Sequence, residues 1–202
     1  SWMLYWNTAI RIAYYAIIST LLSQLKLSLT TERKLARVDH LTQLWNARYF
    51  YEQAEIEAER SRRSGAPLTV AYCDVDNFKS VNDRFGHSAG DALLRDVGAV
   101  IRRELRRTDL CGRLGGDEFA IILPGSDADQ AVATLERIKR ALERAVEEKA
   151  SGTTFSFGAL TYDNPAATVD EMIRAADDLM YRVKRNGKSS IIHERAPAPD
   201  AR

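Results

Sequence analysis

The stretch GRLGGDEFAIILP, residues 112–124, decides the fold of this chain. It predicts a strand, a tight Gly-Gly turn and a second, apolar strand, which together form a β-hairpin. Asp117 and Glu118 follow the turn directly, and neighbouring carboxylates repel each other unless a positive charge lies close to them. Either the turn is a plain hairpin with solvated acids, or its glycines let a ligand approach the backbone beside the carboxylates.

A second strand also ends in acidic residues. The run PLTVAYCDVD, residues 67–76, is apolar and β-branched and closes with Asp74 and Asp76, which predicts a buried strand. If this strand neighbours the hairpin, carboxylates from both converge at one edge of the sheet. Such oxygen ligands suit Mg²⁺ or Mn²⁺, and a metal held by few protein oxygens shares its remaining positions with phosphate oxygens and water. The acids therefore predict a site for a metal ion and a nucleoside triphosphate.

Positively charged residues near these strands suit phosphate binding. After Asp76 the chain turns at Phe78 into a short helix, whose backbone N–H groups can meet anionic oxygens. Lys79 adds a positive charge there. Lys184 and Lys188 flank the end of a later helix, where they either bind phosphate or interact favourably with the helix C-terminus.

Asn82 and Asp91 are candidates for reading a guanine base. A carboxylate can accept hydrogen bonds from the ring N–H and the exocyclic amine of guanine, and an amide can pair with the remaining edge. The alternative is that both residues cap helices. His87 lies between them in the sequence, and its spacing does not assign it a role.

The composition predicts one globular domain with an appended segment. The chain has 202 residues, of which 45% are hydrophobic, and a net charge of +1. Bulk electrostatics therefore indicate neither a nucleic acid nor an acidic partner. Cys73 and Cys111 lie in apolar sequence and are expected to be reduced core residues of a cytosolic domain.

The N-terminal segment has a different character from the rest. Between residues 2 and 25 the one charged residue is Arg11, and the run is long enough to cross a bilayer, which needs about 20 apolar residues. Basic residues follow, as on the cytoplasmic side of a span: Lys26, Arg33, Lys34 and Arg37. The alternative is a soluble helix that dimerises through Leu22, Leu25 and Leu29. The two interpretations are compatible if a membrane span runs on into a helical stalk.

The order of predicted elements after this helix is α-β-α-α-β-β-α-β-α-β. The alternation around one central hairpin predicts an α+β fold of ferredoxin-like type, with a mixed sheet flanked by helices and preceded by the long N-terminal helix. The predicted organisation is a helix over residues 1–37, a catalytic domain over 38–193 and a disordered tail over 194–202.

Six sequence blocks in order resemble those of the GGDEF domains, which are diguanylate cyclases. The blocks are DHLTQLWNARYF (39–50), DVDNFKSVND (74–83), GHSAGD (86–91), RLGGDEF (113–119), SFG (156–158) and AADDLMYRVKRNGK (175–188). The resemblance runs from about residue 39 to residue 192. It implies a nucleotidyl-cyclase-type sheet, a homodimer, and the condensation of two GTP into cyclic di-GMP with release of pyrophosphate.

The resemblance also implies roles for individual residues at the acidic edge. Asp74, the backbone carbonyl of Val75, and Asp117 would hold Mg²⁺, with Glu118 close to the metal, and Asp117 would accept the proton of the 3′-hydroxyl. Asn82 and Asp91 would read guanine, with His87 in the same region. The residues around the triphosphate would be Phe78, Lys79, Lys184 and Lys188.

A second site follows from the same resemblance. The sequence RRTD, residues 106–109, matches the family's inhibitory R-x-x-D product site, in which Arg106 and Asp109 would bind cyclic di-GMP. Arg137 is a weaker candidate for this site. The alternative is a surface salt bridge after a basic helix.

Three residues depart from the family's usual pattern. Gln43 stands where glycine is usual and Ala47 where arginine is usual, so both departures affect coupling between helix and domain more than catalysis. Lys188 replaces an arginine and loses its bidentate fork. A receptor that binds GTP or cyclic di-GMP without catalysis is the alternative function. The expected location is the cytoplasm, with the domain attached to a bacterial inner-membrane protein.

Overall fold

The computed structural model describes residues 2–35, 37–147 and 152–197, and the chain divides into two units, residues 1–37 and 38–202. The first unit is one helix, α1 (Trp2–Leu35). Polar residues such as Asn7 and Gln24 interrupt its apolar sequence. Within the described ranges no helix is both long and apolar enough to cross a membrane, so the predicted span finds no support there. Dimerisation through α1 stays a prediction: Leu22 is exposed, and the side chains of Leu25 and Leu29 lie outside those the structure describes.

The second unit contains five helices and six strands within the described residues. The helices are α2 (Ala47–Ser64), α3 (Phe78–Phe85), α4 (His87–Glu104), α5 (Ala128–Val146) and α6 (Val169–Arg185). The strands are β1 (Trp45–Asn46), β2 (Leu68–Val75), β3 (Leu110–Gly115), β4 (Glu118–Pro124), β5 (Phe155–Tyr162) and β6 (Ile191–Arg195). The predicted order is confirmed except for β1, which is too short for a periodic signal. Strand β6 continues two residues into the predicted tail, and residues 198–202 lie outside the described part.

Two helix ends carry residues that are typical of helix termini. Gly65 terminates α2 in the left-handed conformation, with φ 67°, and such a glycine satisfies the last carbonyls without a Cβ clash. Thr168 caps α6, and its side chain and that of Glu171 form a complete capping box. Local signals therefore set these boundaries.

The strands form one mixed sheet in the order β1-β3-β4-β2-β5-β6. The hairpin β3–β4 is antiparallel, and β2 lies at the centre, antiparallel to both β4 and β5. The outer strands β1 and β6 run parallel to their neighbours β3 and β5. This arrangement confirms the predicted mixed sheet and places the two acid-bearing strands, β2 and β4, side by side.

Helices cover both faces of the sheet, which explains why all eight residues of β2 are buried. One core layer packs β-strand side chains such as Cys73 against α4 and α5. The other packs alternate side chains such as Tyr72 against α2 and α6. Cys73 and Cys111 are buried, as predicted, and burial raises the pKa of both thiols.

Gly158 in the SFG block sets the distance between α6 and the sheet. A Cβ at this position would collide with backbone atoms of Ala176 and Met180 on α6. Glycine therefore allows α6 to approach β5 more closely than any other residue would.

Candidate active site

The acidic residues at the end of β2 and at the start of β4 meet at one edge of the sheet, as predicted. Asp117 lies in the turn with Gly116, which corrects the prediction that it follows the turn. In the register of the two strands Asp74 lies opposite Glu118. The turn before β4 is tied to β2 by a hydrogen bond from Val75 N–H to the Asp117 carbonyl, at 3.2 Å. Antiparallel pairing thus brings together residues that are more than 40 positions apart in the sequence.

Asp74 is a buried carboxylate with one oxygen satisfied. It is 4% exposed. Its Oδ2 accepts from Lys184 Nζ at 2.7 Å, whereas its buried Oδ1 has no hydrogen-bond partner among the described residues. Burial raises the pKa of Asp74, the hydrogen bond from Lys184 lowers it and the charge of Asp117 raises it again, and together these effects bring it to about 6. A buried anionic oxygen without a partner is costly, and such an oxygen is suited to bind a cation.

The donors at this edge fit a hard divalent cation. Asp74 and Asp117 offer carboxylate oxygens and Val75 offers a carbonyl, which are the ligand types that Mg²⁺ and Mn²⁺ prefer. In the described ranges no cluster of three or more histidine, cysteine or acidic side chains is arranged to hold a metal. A cation here would therefore draw part of its coordination from phosphate oxygens and water, as Mg²⁺ commonly does.

Glu118 lies half-buried at the start of β4, beside Tyr72. Burial raises the pKa of the Tyr72 phenol, and the charge of Glu118 raises it further. Tyr72 was not predicted as part of this site. Its position two residues before Asp74 on β2 is the signal that could have found it, since alternate residues of a strand face the same side.

The charge of Asp76 also raises the pKa of Asp74, but neighbouring donors bind the Asp76 carboxylate, so it offers no unpartnered buried oxygen as Asp74 does. The Asp76 carboxylate accepts from Thr154 Oγ1 at 2.7 Å, from Ser156 Oγ at 2.8 Å and from Ser189 N–H at 3.2 Å. The strand ends at Val75, so the alternation of side chains no longer applies to the next residue.

Asn82 lies against the next helix and caps no helix. A Cβ on Gly90 would collide with its Oδ1 and touch Phe78, so this glycine of the GHSAGD block makes room for both side chains. The N-cap residues of α3 and α4 are Asn77 and Gly86, and neither makes a side-chain cap bond. The capping alternative is therefore wrong for Asn82, and also for Asp91, which is the fifth residue of α4.

The helix α4 also carries the remaining residues predicted for guanine. His87 is its first residue and Asp91 lies one turn later, and both are exposed. Contact between α3 and α4 places these residues on the helix that packs beside Phe78 and Asn82.

The predicted phosphate-binding lysines approach the acidic edge from two elements. Lys184 on α6 binds Asp74 instead of the α6 C-terminus. Lys188 follows α6, and its Nζ donates to Asn77 Oδ1 at 2.7 Å, directly before α3. Lys79 is exposed in the first turn of α3. Positive charge therefore lies at the start of α3, from Lys79 and Lys188, and beside Asp74, from Lys184.

Arg113 is a residue of this site for which sequence reasoning gave no role. Its Nε and Nη2 donate to the Gly116 carbonyl at 2.9 and 2.7 Å, and its Nη1 donates to Asp39 Oδ1 at 3.1 Å. Partial burial alone would raise the pKa of Asp39, but hydrogen bonds from Thr42 and the contact with Arg113 outweigh it and hold the pKa below its usual value. One arginine thus ties the hairpin turn to the DHLT loop.

Gln43 adopts a conformation that explains why glycine is usual at this position. Its φ is 58°, in the left-handed region that glycine adopts without strain. Its Nε2 donates to the His40 carbonyl at 3.0 Å, and its own carbonyl accepts from Arg102 at 3.4 Å. Ala47 opens α2, directly after Asn46, whose side chain caps that helix.

The R-x-x-D sequence forms a turn after α4. Asp109 Oδ2 accepts from the Arg106 backbone N–H at 2.8 Å, so the contact is a backbone cap and not the surface salt bridge considered as the alternative. Arg106 and Asp109 line a groove of about 400 Å³ together with Trp45 and Arg102. Arg137 instead binds Glu104, at 2.8 Å to its carbonyl and 3.4 Å to its carboxylate.

Comparisons with known proteins agree with this geometry. The family model described as "Diguanylate cyclase, GGDEF domain" matches residues 36–190. The probable diguanylate cyclase DgcT of Escherichia coli is 31% identical over 173 residues, which cover 82% of this chain and 37% of DgcT. The chain thus spans well under half the length of this relative.

Two solved structures of DgcB from Caulobacter crescentus are also similar. The GGDEF domain in complex with c-di-GMP has a TM-score of 0.73 and 30% identity, and the match covers 78% of this chain and 95% of that one. The coiled coil and GGDEF domain of the same protein, also with c-di-GMP, has a TM-score of 0.72 and 28% identity, with 90% and 98% covered.

Proposed function

The chain belongs to the GGDEF family, and from this membership we propose that it is a diguanylate cyclase, active as a homodimer, that condenses two GTP into cyclic di-GMP and two pyrophosphates. The observation that carries the proposal is the acidic edge of the sheet. There the buried Oδ1 of Asp74 has no partner among the described residues, and the charge of Asp117 acts on the same carboxylate.

The acidic edge supplies the ligands for a divalent cation. Asp74, Asp117 and the carbonyl of Val75 would hold Mg²⁺ or Mn²⁺, with Glu118 beside it. When bound, the metal would stabilise negative charge on the reacting phosphate oxygens. Lys184, which now binds Asp74, would then be available to the triphosphate.

The chain's own residues position the substrate and move one proton. Asp117 accepts the proton of the 3′-hydroxyl, and that oxygen attacks the α-phosphorus of the other GTP. Each attack forms one P–O ester bond and breaks one phosphoanhydride bond, so two attacks release two pyrophosphates. Lys79, Lys184 and Lys188 balance the charge of the leaving pyrophosphate, and such preorganised charges supply much of the rate enhancement.

The guanine is read at the contact between α3 and α4. Asp91 accepts from the ring N–H and exocyclic amine of the guanine, and the Asn82 amide pairs with the remaining edge. Phe78 packs beside Asn82 over Gly90. His87 belongs to the same region because it begins α4. This assignment makes the base site a product of helix packing, whereas the metal site is a product of strand pairing.

Each domain binds one GTP, so the reaction requires two domains facing each other. A homodimer formed through α1 would raise the effective concentration of the second half-site. The similar DgcB structure that includes a coiled coil supports this role for an N-terminal helix. Product inhibition at Arg106 and Asp109 is supported by the groove that both residues line, with Arg137 as a further contact from α5.

The test is GTP turnover with Mg²⁺ on protein of known oligomeric state, with and without added cyclic di-GMP. We expect synthesis by the wild type, loss of synthesis in Asp117→Ala, and retained product binding in that variant. Asp163→Ala, an exposed acid, is the matched control and should keep full activity. Arg106→Ala should turn over GTP without inhibition by the product. Product binding without synthesis by a forced wild-type dimer would favour the receptor alternative.

A further inference from the structure

Asp76 is a buried charge that the proposed chemistry leaves unused. It is 1% exposed, and a charge at such depth persists only where hydrogen bonds compensate it. Its Oδ2 accepts from Thr154 Oγ1 and from Ser189 N–H, and both of its oxygens accept from Ser156 Oγ. Thr154 directly precedes β5 and Ser156 is its second residue, whereas Ser189 lies in the loop after α6. Asp76 therefore joins that loop to the centre of the sheet.

The loop after α6 holds an uncommon backbone conformation. Lys188 and Ser189 are consecutive residues with φ of 65° and 54°. Residues other than glycine rarely adopt the left-handed region, and they keep it where the surrounding structure imposes it. The backbone anchors on either side are Lys188 N–H to the Val183 carbonyl and Phe157 N–H to the Ser190 carbonyl, each at 3.0 Å. Between these anchors, the Ser189 N–H is held by Asp76.

The conformation of this loop decides where the Lys188 ammonium lies. Its Nζ reaches Asn77 Oδ1 at 2.7 Å, and Asn77 is the N-cap residue of α3. Asp76 directly precedes Asn77 in the chain. Two consecutive residues therefore hold the loop: Asp76 binds the Ser189 backbone N–H, and Asn77 binds the Lys188 ammonium. A shift of the Ser189 backbone would move the ammonium away from the start of α3.

We propose that Asp76 is a positioning residue for the triphosphate: its hydrogen bond to Ser189 N–H holds residues 188–189 in the left-handed conformation that places the Lys188 ammonium beside α3. The proposal rests on the function proposed above, because that function assigns Lys188 to the triphosphate. Asp76 acts through Lys188 and contacts no reacting atom.

A second anchor of the same loop provides a matched control. The Ser189 hydroxyl donates to Glu143 at 3.3 Å and accepts from Lys139 at 3.4 Å, both on α5. These contacts are longer than those of Asp76 with its hydroxyl partners. Ser189→Ala removes them and retains the backbone N–H, so it separates the α5 contacts from the bond to Asp76.

The test is a double-mutant cycle on binding of a GTP analogue with a methylene group between the α- and β-phosphorus, which cannot release pyrophosphate. With Mg²⁺ present, Lys188→Ala and Asp76→Ala should each raise the dissociation constant about tenfold. The double variant should bind the analogue no more weakly than Lys188→Ala alone, because both substitutions remove the same contact between Lys188 and the triphosphate. Asp76→Asn should stay within about twofold of wild type, since its amide oxygen can face Ser189 N–H while its NH₂ donates to Ser156. Ser189→Ala should do the same.

Fully additive losses in the double variant would overturn the proposal, because Asp76 would then act independently of Lys188. If Asp76→Ala fails to fold, amide exchange in the wild type decides: strong protection of the Ser189 N–H is expected, and rapid exchange would refute the bond. Amide exchange needs no nucleotide, so it tests the bond from Asp76 to Ser189 separately from the proposed role of Lys188 at the triphosphate. Protected Ser189 together with an unchanged affinity in Lys188→Ala would overturn the assignment of Lys188 in the proposed function, and with it the role given to Asp76.

Discussion

Replacing Asp74 by asparagine should stabilise the metal-free protein while removing a proposed metal ligand. The folded chain holds this carboxyl at a pKa of about 6, against 3.8 for an ordinary aspartate. Because the folded state binds the proton more tightly, stability falls as pH rises between these two values and stays low above them. At about 1.4 kcal/mol per pKa unit, the ionised Asp74 costs the fold on the order of 3 kcal/mol near pH 7.

Asparagine resembles the protonated side chain in shape and carries no charge, so Asp74→Asn should recover most of this free energy. The loss of the Lys184 contact does not reverse the sign, because the raised pKa already includes the opposing effect of Lys184. The Lys184 side chain is 30% exposed and keeps water as a partner. Between about pH 4.5 and pH 7.5 the advantage of the variant should grow by about 2 kcal/mol.

Urea unfolding followed by circular dichroism, in EDTA at both pH values, measures the effect. Asp163→Asn, at an exposed position, should show no pH-dependent difference from wild type. Adding Mg²⁺ and a non-reacting GTP analogue should narrow the gap, because only the wild type gains binding free energy. A variant less stable than wild type near pH 7.5, or an advantage equal at both pH values, would refute the electrostatic reasoning.

Two further predictions concern the loop that faces the hairpin. Arg113→Ala removes two hydrogen bonds to the Gly116 carbonyl and the ion pair with Asp39. It should lower the free energy of unfolding by about 3 kcal/mol and reduce turnover at least tenfold. The control Arg48→Ala breaks an exposed ion pair with Glu52 and should lower the free energy of unfolding by less than about 0.5 kcal/mol. In urea unfolding, Gln43→Gly should be more stable than Gln43→Ala by about 1 kcal/mol, because residue 43 has a φ of 58°. If the glycine variant is equally stable or less stable, the left-handed backbone at this position carries no cost.

Strand pairing was predictable from the sequence where an apolar run ends in a turn or in acidic residues. A glycine-containing turn separates β3 from β4, and the eight residues of β2 are all buried and mostly apolar, so both elements and their acids could be predicted. Contacts across long sequence separations could not. The bond from Arg113 to Asp39 spans 74 positions, and no periodicity within either element indicates it. The same holds for β1, whose two residues are identified by their pairing with β3.

Asp74 and Asp76 show how two acids in one motif acquire different roles. Both stand at the end of the same apolar run, and strand alternation alone would place them on the same side. The strand stops at Val75, so the backbone turns and Asp76 meets Thr154, Ser156 and Ser189 instead. Only the position of the strand end, which sequence patterns locate to within a few residues, separates a candidate metal ligand from a structural carboxylate.

The lysines at the acidic edge imply that cation and triphosphate bind in a coupled way. Lys184 forms an ion pair with Asp74, and Lys188 donates a hydrogen bond to the Asn77 side chain, so both ammonium groups already have partners inside the protein. A triphosphate that attracts Lys184 leaves the buried Asp74 with two oxygens to satisfy, which raises the affinity of that carboxylate for a cation. A cation at Asp74 in turn releases Lys184 for phosphate. Since coupling between two ligands is reciprocal, we expect each to bind weakly alone and tightly together.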